Sequence, residues 1–132
     1  MSEKTTEVRF VVWQFVRLMV RLEETVEAGA AGEVKDLYNS WEDVWVDLDA
    51  KLVDLGRNDP EAFAELMMDQ EVVTELTAVE CGIVATQLKN VVDDLIEKLK
   101  HTDDTEEVED FSFERDDLTS LVNELKALSK NL

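Results

Sequence analysis

The sequence predicts an all-α fold, a helical bundle of four to five helices whose first two run antiparallel. Three observations predict it. Apolar residues recur at three- and four-residue steps over most of the chain. Four glycines and one proline leave few places to turn in 132 residues, which favours a small number of long helices. No stretch alternates apolar and polar residues as a half-buried strand would, and no internal repeat stands out. Residues 1–132 read as one domain, long enough to bury a core.

The first helix is predicted from about Thr6 to Ala28. Thr5 or Thr6 can cap it, and Glu7 suits the positive end of its dipole. The short break GAAG, Gly29 to Gly32, implies an antiparallel partner. That partner is the clearest element, about Glu33 to Leu55. Val34, Leu37, Tyr38, Trp41, Val44, Trp45, Leu48, Leu52 and Leu55 form one stripe at about 100° per residue. Asn58 or Asp59 caps the next helix, with Pro60 at its first position.

From Pro60 to about His101 the spacing stays helical but its phase changes. Val72, Leu76, Val79 and Ile83 lie nearly opposite Phe63, Leu66 and Met67. The helix either breaks near Asp69 and bends at Gly82, or is buried on both sides. Small residues at Thr77, Ala78, Cys81, Gly82 and Ala85 would let another backbone come close. The segment at about 102–111, TDDTEEVEDF, reads as a solvated acidic loop. A last helix, about Phe113 to Lys130, carries Leu118, Leu121, Val122, Leu125 and Leu128 on one face.

The formal net charge is -19, with 32 acids against 13 bases. Nearly all of the excess lies beyond residue 32. Such a surface repels nucleic acid and anionic lipid and attracts a basic partner or cations. No run of about 18 apolar residues offers a membrane span, and MSEKTTE lacks the apolar core of a secretory signal. A single cysteine rules out an internal disulfide. A cytoplasmic location is expected.

The first helix is unusual in being apolar on almost every side. Val8, Val12, Phe15, Met19 and Leu22 make a core stripe, widened by Val11 and Leu18. Phe10, Trp13, Val16 and Val20 then fall on the other half, between Arg9, Arg17 and Arg21. Large side chains left wet forfeit roughly 1.5–3 kcal/mol each, and patches of that kind mark contact surfaces. Arg9, Phe10, Trp13, Val16, Arg17, Val20 and Arg21 are therefore the expected interface, meeting a second copy in a homodimer or another protein partner.

Material for catalysis is sparse. Cys81 and His101 lie about 30 Å apart along one helical stretch at 1.5 Å per residue, so they form no dyad. Zinc ligands, Glu-x-x-His pairs and a glycine-rich phosphate loop are absent. No catalytic, cofactor-binding or metal residue is assigned. The expected function is non-enzymatic: an acidic adaptor, inhibitor or small regulatory subunit that works by protein–protein contact with a basic surface.

One alternative comes from another class. Arg17, Glu23, Glu24 and Glu27 spell R-x5-E-E-x-x-E, followed by Asp43 and Asp47 as D-x3-D. Over about residues 15–50 this resembles the all-α MazG-like nucleotide pyrophosphohydrolases. The resemblance implies Mg²⁺ held by Glu23, Glu24, Glu27, Asp43 and Asp47 around a nucleoside triphosphate. Ser40 stands where that family carries a glutamate on the second helix.

Overall fold

A computed structural model describes residues 4–131. The chain is mostly helical, with five helices and a small sheet. In order these are β1 (Thr5–Val11), α1 (Val12–Glu27), α2 (Glu33–Asn58), α3 (Pro60–Asp69), β2 (Glu71–Thr77), α4 (Ala78–His101) and α5 (Thr105–Asn131). Two compact units divide it. One is Glu7–Glu75; the other begins at Leu76 and holds α4 and α5.

The strands correct the all-helical expectation. Thr5–Val11 is not the first turn of a helix, and no threonine caps one there. Val8 and Phe10 point inward while Glu7 and Arg9 point out, a period of two rather than 3.6. The partner strand supplies the reason. Thr74 Oγ1 donates to the Val8 carbonyl at 2.9 Å, and Val12 N–H donates to the Gln70 carbonyl at 2.9 Å. Residue number rises on β1 as it falls on β2, so the pair is antiparallel. Arg9 spans its outer face, 3.0 Å from Glu7 and 3.7 Å from Glu71. Glu7-Val8-Arg9-Phe10 does alternate in the sequence, but over four residues only and running straight into the helical spacing of Val12, Phe15 and Met19, which masks it.

The phase change after Pro60 has the same origin. The chain leaves α3 at Asp69, one of the breaks the spacing allows, and enters β2 two residues later. Val72 and Leu76 lie opposite Phe63 and Leu66 only on a helical wheel that does not apply to them. Asp59 does cap α3, accepting from Ala62 N–H at 3.2 Å, with Pro60 beginning the helix.

Within Glu7–Glu75 the core gathers on α1. Phe15 meets Trp41 edge-on at 5.5 Å and Phe10 at 6.2 Å between ring centroids. Gly29 and Gly32, both at positive φ, make the turn into α2. Tyr38 then lies near Glu23 and Glu27, and Trp41 near Phe15, so α2 runs back along α1.

The second unit is built on α4 and α5, which pack along much of their length. Thr77 and Glu80 close a reciprocal capping box at the start of α4: Thr77 N–H donates to Glu80 Oε1 at 2.9 Å, and Glu80 N–H to Thr77 Oγ1 at 3.2 Å. Cys81, Val84, Ala85 and Leu88 are buried, as are Leu118, Leu121, Val122 and Leu125 of α5. Gly82 takes Ser129 so close that an added Cβ would lie 3.3 Å from its Oγ. At Gly82 the space is taken by a side chain of α5.

The acidic segment expected as a loop is helical from Thr105 onward. Asp104 Oδ1 accepts from the N–H groups of Glu106 and Glu107 at 2.9 and 3.1 Å. The crowded acids therefore sit at a helix N-terminus, where the dipole favours them.

Candidate functional site

The first helix does not leave its second face open. Phe10 is 0% and Trp13 6% exposed; Val16 and Arg21 are half-buried. Phe10 belongs to β1 and turns inward against Phe15 and Trp41. Among the apolar residues of the expected interface, Val20 alone is well exposed, at 42%. Arg9 and Arg17 are exposed, Arg9 being engaged on the sheet. Arg21 lies 3.5 Å from Glu24. The error lies in the helical wheel: a strand replaces its first turn, and α3 also packs on α1.

Open apolar surface lies on α2 instead. It is a 26-residue helix with a nine-residue apolar stripe, yet only Leu37 and Leu52 are buried. Phe10 and Phe15 take up one side of Trp41. Near the far end the Phe63 ring of α3 lies against Gly56, in ordinary contact at 3.7 Å with the place an added Cβ would take. Between those two supports Val44 is 48% exposed, and Trp45 and Leu48 remain half-covered. At 1.5 Å per residue the stripe from Tyr38 to Leu55 is about 26 Å long. On α3, Phe63, Leu66 and Met67 are half-buried and Met68 is exposed.

The charge beside this stripe is one-sided. From Glu33 to Asp69 the chain carries 11 acids and three bases. Near the α1 end of the stripe, Glu23, Glu27 and Glu42 surround Tyr38. Burial first, then the charges of Glu23, Glu42 and Glu27, push the Tyr38 hydroxyl above its ordinary range. Among the described residues none of these three carboxylates is held by a cation. By helical spacing Glu42, Trp45 and Asp49 share a face, so the acids border the tryptophan.

The carboxylates of the nucleotide-hydrolase alternative are placed differently from what that chemistry needs. Mg²⁺ takes oxygen ligands at about 2.1 Å, all around one ion. Glu24 is engaged with Arg21, and Asp43 and Asp47 are exposed on α2. Among the described residues, no three His, Cys, Asp or Glu side chains form a group that could hold a metal ion. The donor chemistry suits Mg²⁺; the arrangement of Glu23, Glu24, Glu27, Asp43 and Asp47 does not.

The remaining titratable groups explain themselves locally. Burial, then the charge of Glu80, raises the Cys81 thiol, so it is a packed side chain and a poor nucleophile. An open cleft of about 560 Å³ lies at the α4–α5 turn. There His101 Nε2 is 3.0 Å from Glu97, Thr102 donates to Glu107 at 2.6 Å, and Lys98 lies 5.6 Å from the Phe111 ring centroid. These polar groups satisfy one another. No helix among the described residues is long and apolar enough to cross a membrane.

No protein-family model, curated protein or solved structure matches this chain. The functional reading therefore rests on the geometry alone.

Proposed function

We propose that the protein works by protein–protein contact, as an adaptor, inhibitor or small regulatory subunit, and that α2 presents the contact face. One observation carries this reading. A nine-residue apolar stripe on a 26-residue helix buries only two of its members. A helix of this length draws most of its stability from covering such a face. Val44, Trp45 and Leu48 lie where the chain's own cover runs out. Trp is a preferred anchor residue at interfaces, especially where a pocket closes round it.

Charge selects the kind of partner. Two copies of a chain at -19 repel one another, so a second copy is disfavoured relative to a basic surface. Opposite charge would speed the encounter, and association would weaken as salt rises.

A photo-crosslinking amino acid placed at Val44 tests the reading in the native cell. A control carries it at Thr119, which is exposed on α5. A discrete adduct from position 44 alone is expected. The same adducts from both positions, or none from 44, would remove the proposal.

A further inference from the structure

The open stretch of α2 has a shape and a charge, and together they narrow what covers it. The stripe lies on one face of a helix and runs about 26 Å by helical rise from Tyr38 to Leu55, with Val44, Trp45 and Leu48 as its open middle. An apolar stripe along one helix face is well matched by another helix, whose anchors recur at three- and four-residue steps. Its border supplies the second constraint. Glu23 and Glu27 come from α1 and Glu42 from α2, so two elements deliver three carboxylates to one end of the stripe. A partner that brought acids or only apolar groups here would leave those charges unpaired and less hydrated, which is costly. A partner that brought guanidinium or ammonium groups would compensate them while its apolar side met Trp45.

Resting on the contact reading above, we propose that the occupant is a basic amphipathic helix of a partner protein, laid along Val44, Trp45 and Leu48 with its cations against Glu23, Glu27 and Glu42. The binding mode is helix-in-groove. The apolar contacts supply the affinity, and the carboxylates choose the sign of the partner and its direction along α2.

The test uses the full chain and two synthetic helices of about 18 residues, a length of roughly 27 Å. One places leucines at three- and four-residue steps with arginine elsewhere; the other replaces arginine by glutamine. Binding is read by anisotropy of the labelled peptide. Three variants are compared with the parent: the rim triple Glu23→Gln/Glu27→Gln/Glu42→Gln, a control triple Asp103→Asn/Glu109→Gln/Asp110→Asn on the other unit, and Trp45→Ser. Helical circular dichroism checks that each is folded, and Val44→Ser replaces Trp45→Ser if the latter is not.

The two triples remove the same charge, so bulk attraction changes equally and only position differs. The arginine helix is expected to bind the parent at least tenfold more tightly than the rim triple or Trp45→Ser, with the control triple close to the parent. The chain has one tyrosine, so its ultraviolet titration reports Tyr38 alone. Bound arginine is expected to bring that midpoint down, because cations beside the carboxylates favour the phenolate.

Two results would overturn the inference, and they are distinguishable. If the glutamine helix binds as well, the rim triple changes nothing and Trp45→Ser still weakens binding, the partner is not basic but the contact face stands. If both triples weaken binding equally and Trp45→Ser does nothing, attraction is diffuse and the contact face falls as well.

Discussion

Two segments of the chain follow the same plan and finish it differently. β1–α1–α2 and β2–α4–α5 each run from a seven-residue strand directly into a helix and then into a long second helix. Their strands share one inward–outward pattern. At an offset of 66 residues, Thr5 to Glu71, Val8 matches Thr74 and Phe10 matches Leu76. Phe15 matches Cys81, Leu18 matches Val84, Met19 matches Ala85 and Leu22 matches Leu88; every one of these positions is buried. The second helices then part ways. α5 buries Leu118, Leu121, Val122 and Leu125, whereas α2, one residue shorter, buries two residues of its stripe. The lesson is that an apolar stripe read from sequence says what a helix can cover, not what covers it. In one segment the chain supplies the cover; in the other much of it is missing.

The largest expected difference lies in the cores. Leu118 is fully buried in α5, and Leu118→Ala is expected to destabilise by about 2–5 kcal/mol, the range for leucine truncation in a closed core. Leu48→Ala, at the half-covered middle of α2, is expected to cost roughly 1 kcal/mol, near the ordinary mutational mean. Urea unfolding measures both. All three tryptophans lie in Glu7–Glu75, so their fluorescence reports that unit while circular dichroism reports the helices as a whole. Equal losses would mean that α2 is as well closed as α5, and the contact face would lose its basis.

A smaller effect separates the two strand-to-helix junctions. Thr77 completes a capping box with Glu80. The matching position, Val11, has no side-chain acceptor; Gln14 reaches back to its N–H at 2.9 Å, but nothing from Val11 returns the bond. Thr77→Val is expected to cost about 1 kcal/mol, as for loss of an N-cap. Val11→Thr adds the missing half and is expected to stabilise by less than about 1 kcal/mol. Both residues are β-branched, so strand preference is little changed. Thermal unfolding of the two variants in one buffer reads the difference, and shifts of the same sign would break the correspondence between the segments.

The helices were largely legible in the sequence because each carries its own period. The α2 stripe, Asp59 and Pro60 at the start of α3, and the leucine face of α5 all lie on local spacing. The strands were harder to read: Glu7-Val8-Arg9-Phe10 does alternate, but TTEVRFV and EVVTELT run straight into apolar helices, so a short period of two is lost in the helical one. That misreading put Phe10 on the surface; Trp13 belongs to α1 itself, and its burial comes from packing that helical spacing does not show, so the first helix looked like the interface. The face now assigned to α2 was half visible: its nine residues were read, but their poor cover depends on where α1, α3 and the strands sit. Of the carboxylates around Tyr38, Glu23 and Glu27 belong to the Mg²⁺ set that the nucleotide-hydrolase resemblance implies; Glu42 lies outside that set and joins them only because α2 folds back along α1.

The smallest effects have opposite signs in the two segments, and the signs follow from which charges have partners. Tyr38 lies among carboxylates, and burial together with their charges raises its pKa. A raised folded-state value means that any stability linked to Tyr38 is present below the ordinary tyrosine pKa of about 10 and lost as pH rises through the folded value. Glu97 ends α4 beside cations: its bond to His101, then the charge of Lys100, lowers its pKa. A lowered value means that the linked stability is present above the ordinary glutamate pKa of about 4.3 and lost as pH falls through the folded value. Ultraviolet titration of the single tyrosine is expected to give a midpoint above the free value, moving down in Glu23→Gln/Glu42→Gln. Carboxyl-detected magnetic resonance is expected to place Glu97 below the free value, moving up in His101→Ala. The exposed Glu97 pair adds little to stability in water, so its shift is a marker of environment rather than a support. If Tyr38 instead titrates at or below the free value, cations already sit against Glu23, Glu27 and Glu42, and there is no unmatched charge at that end of α2 for a basic helix to answer.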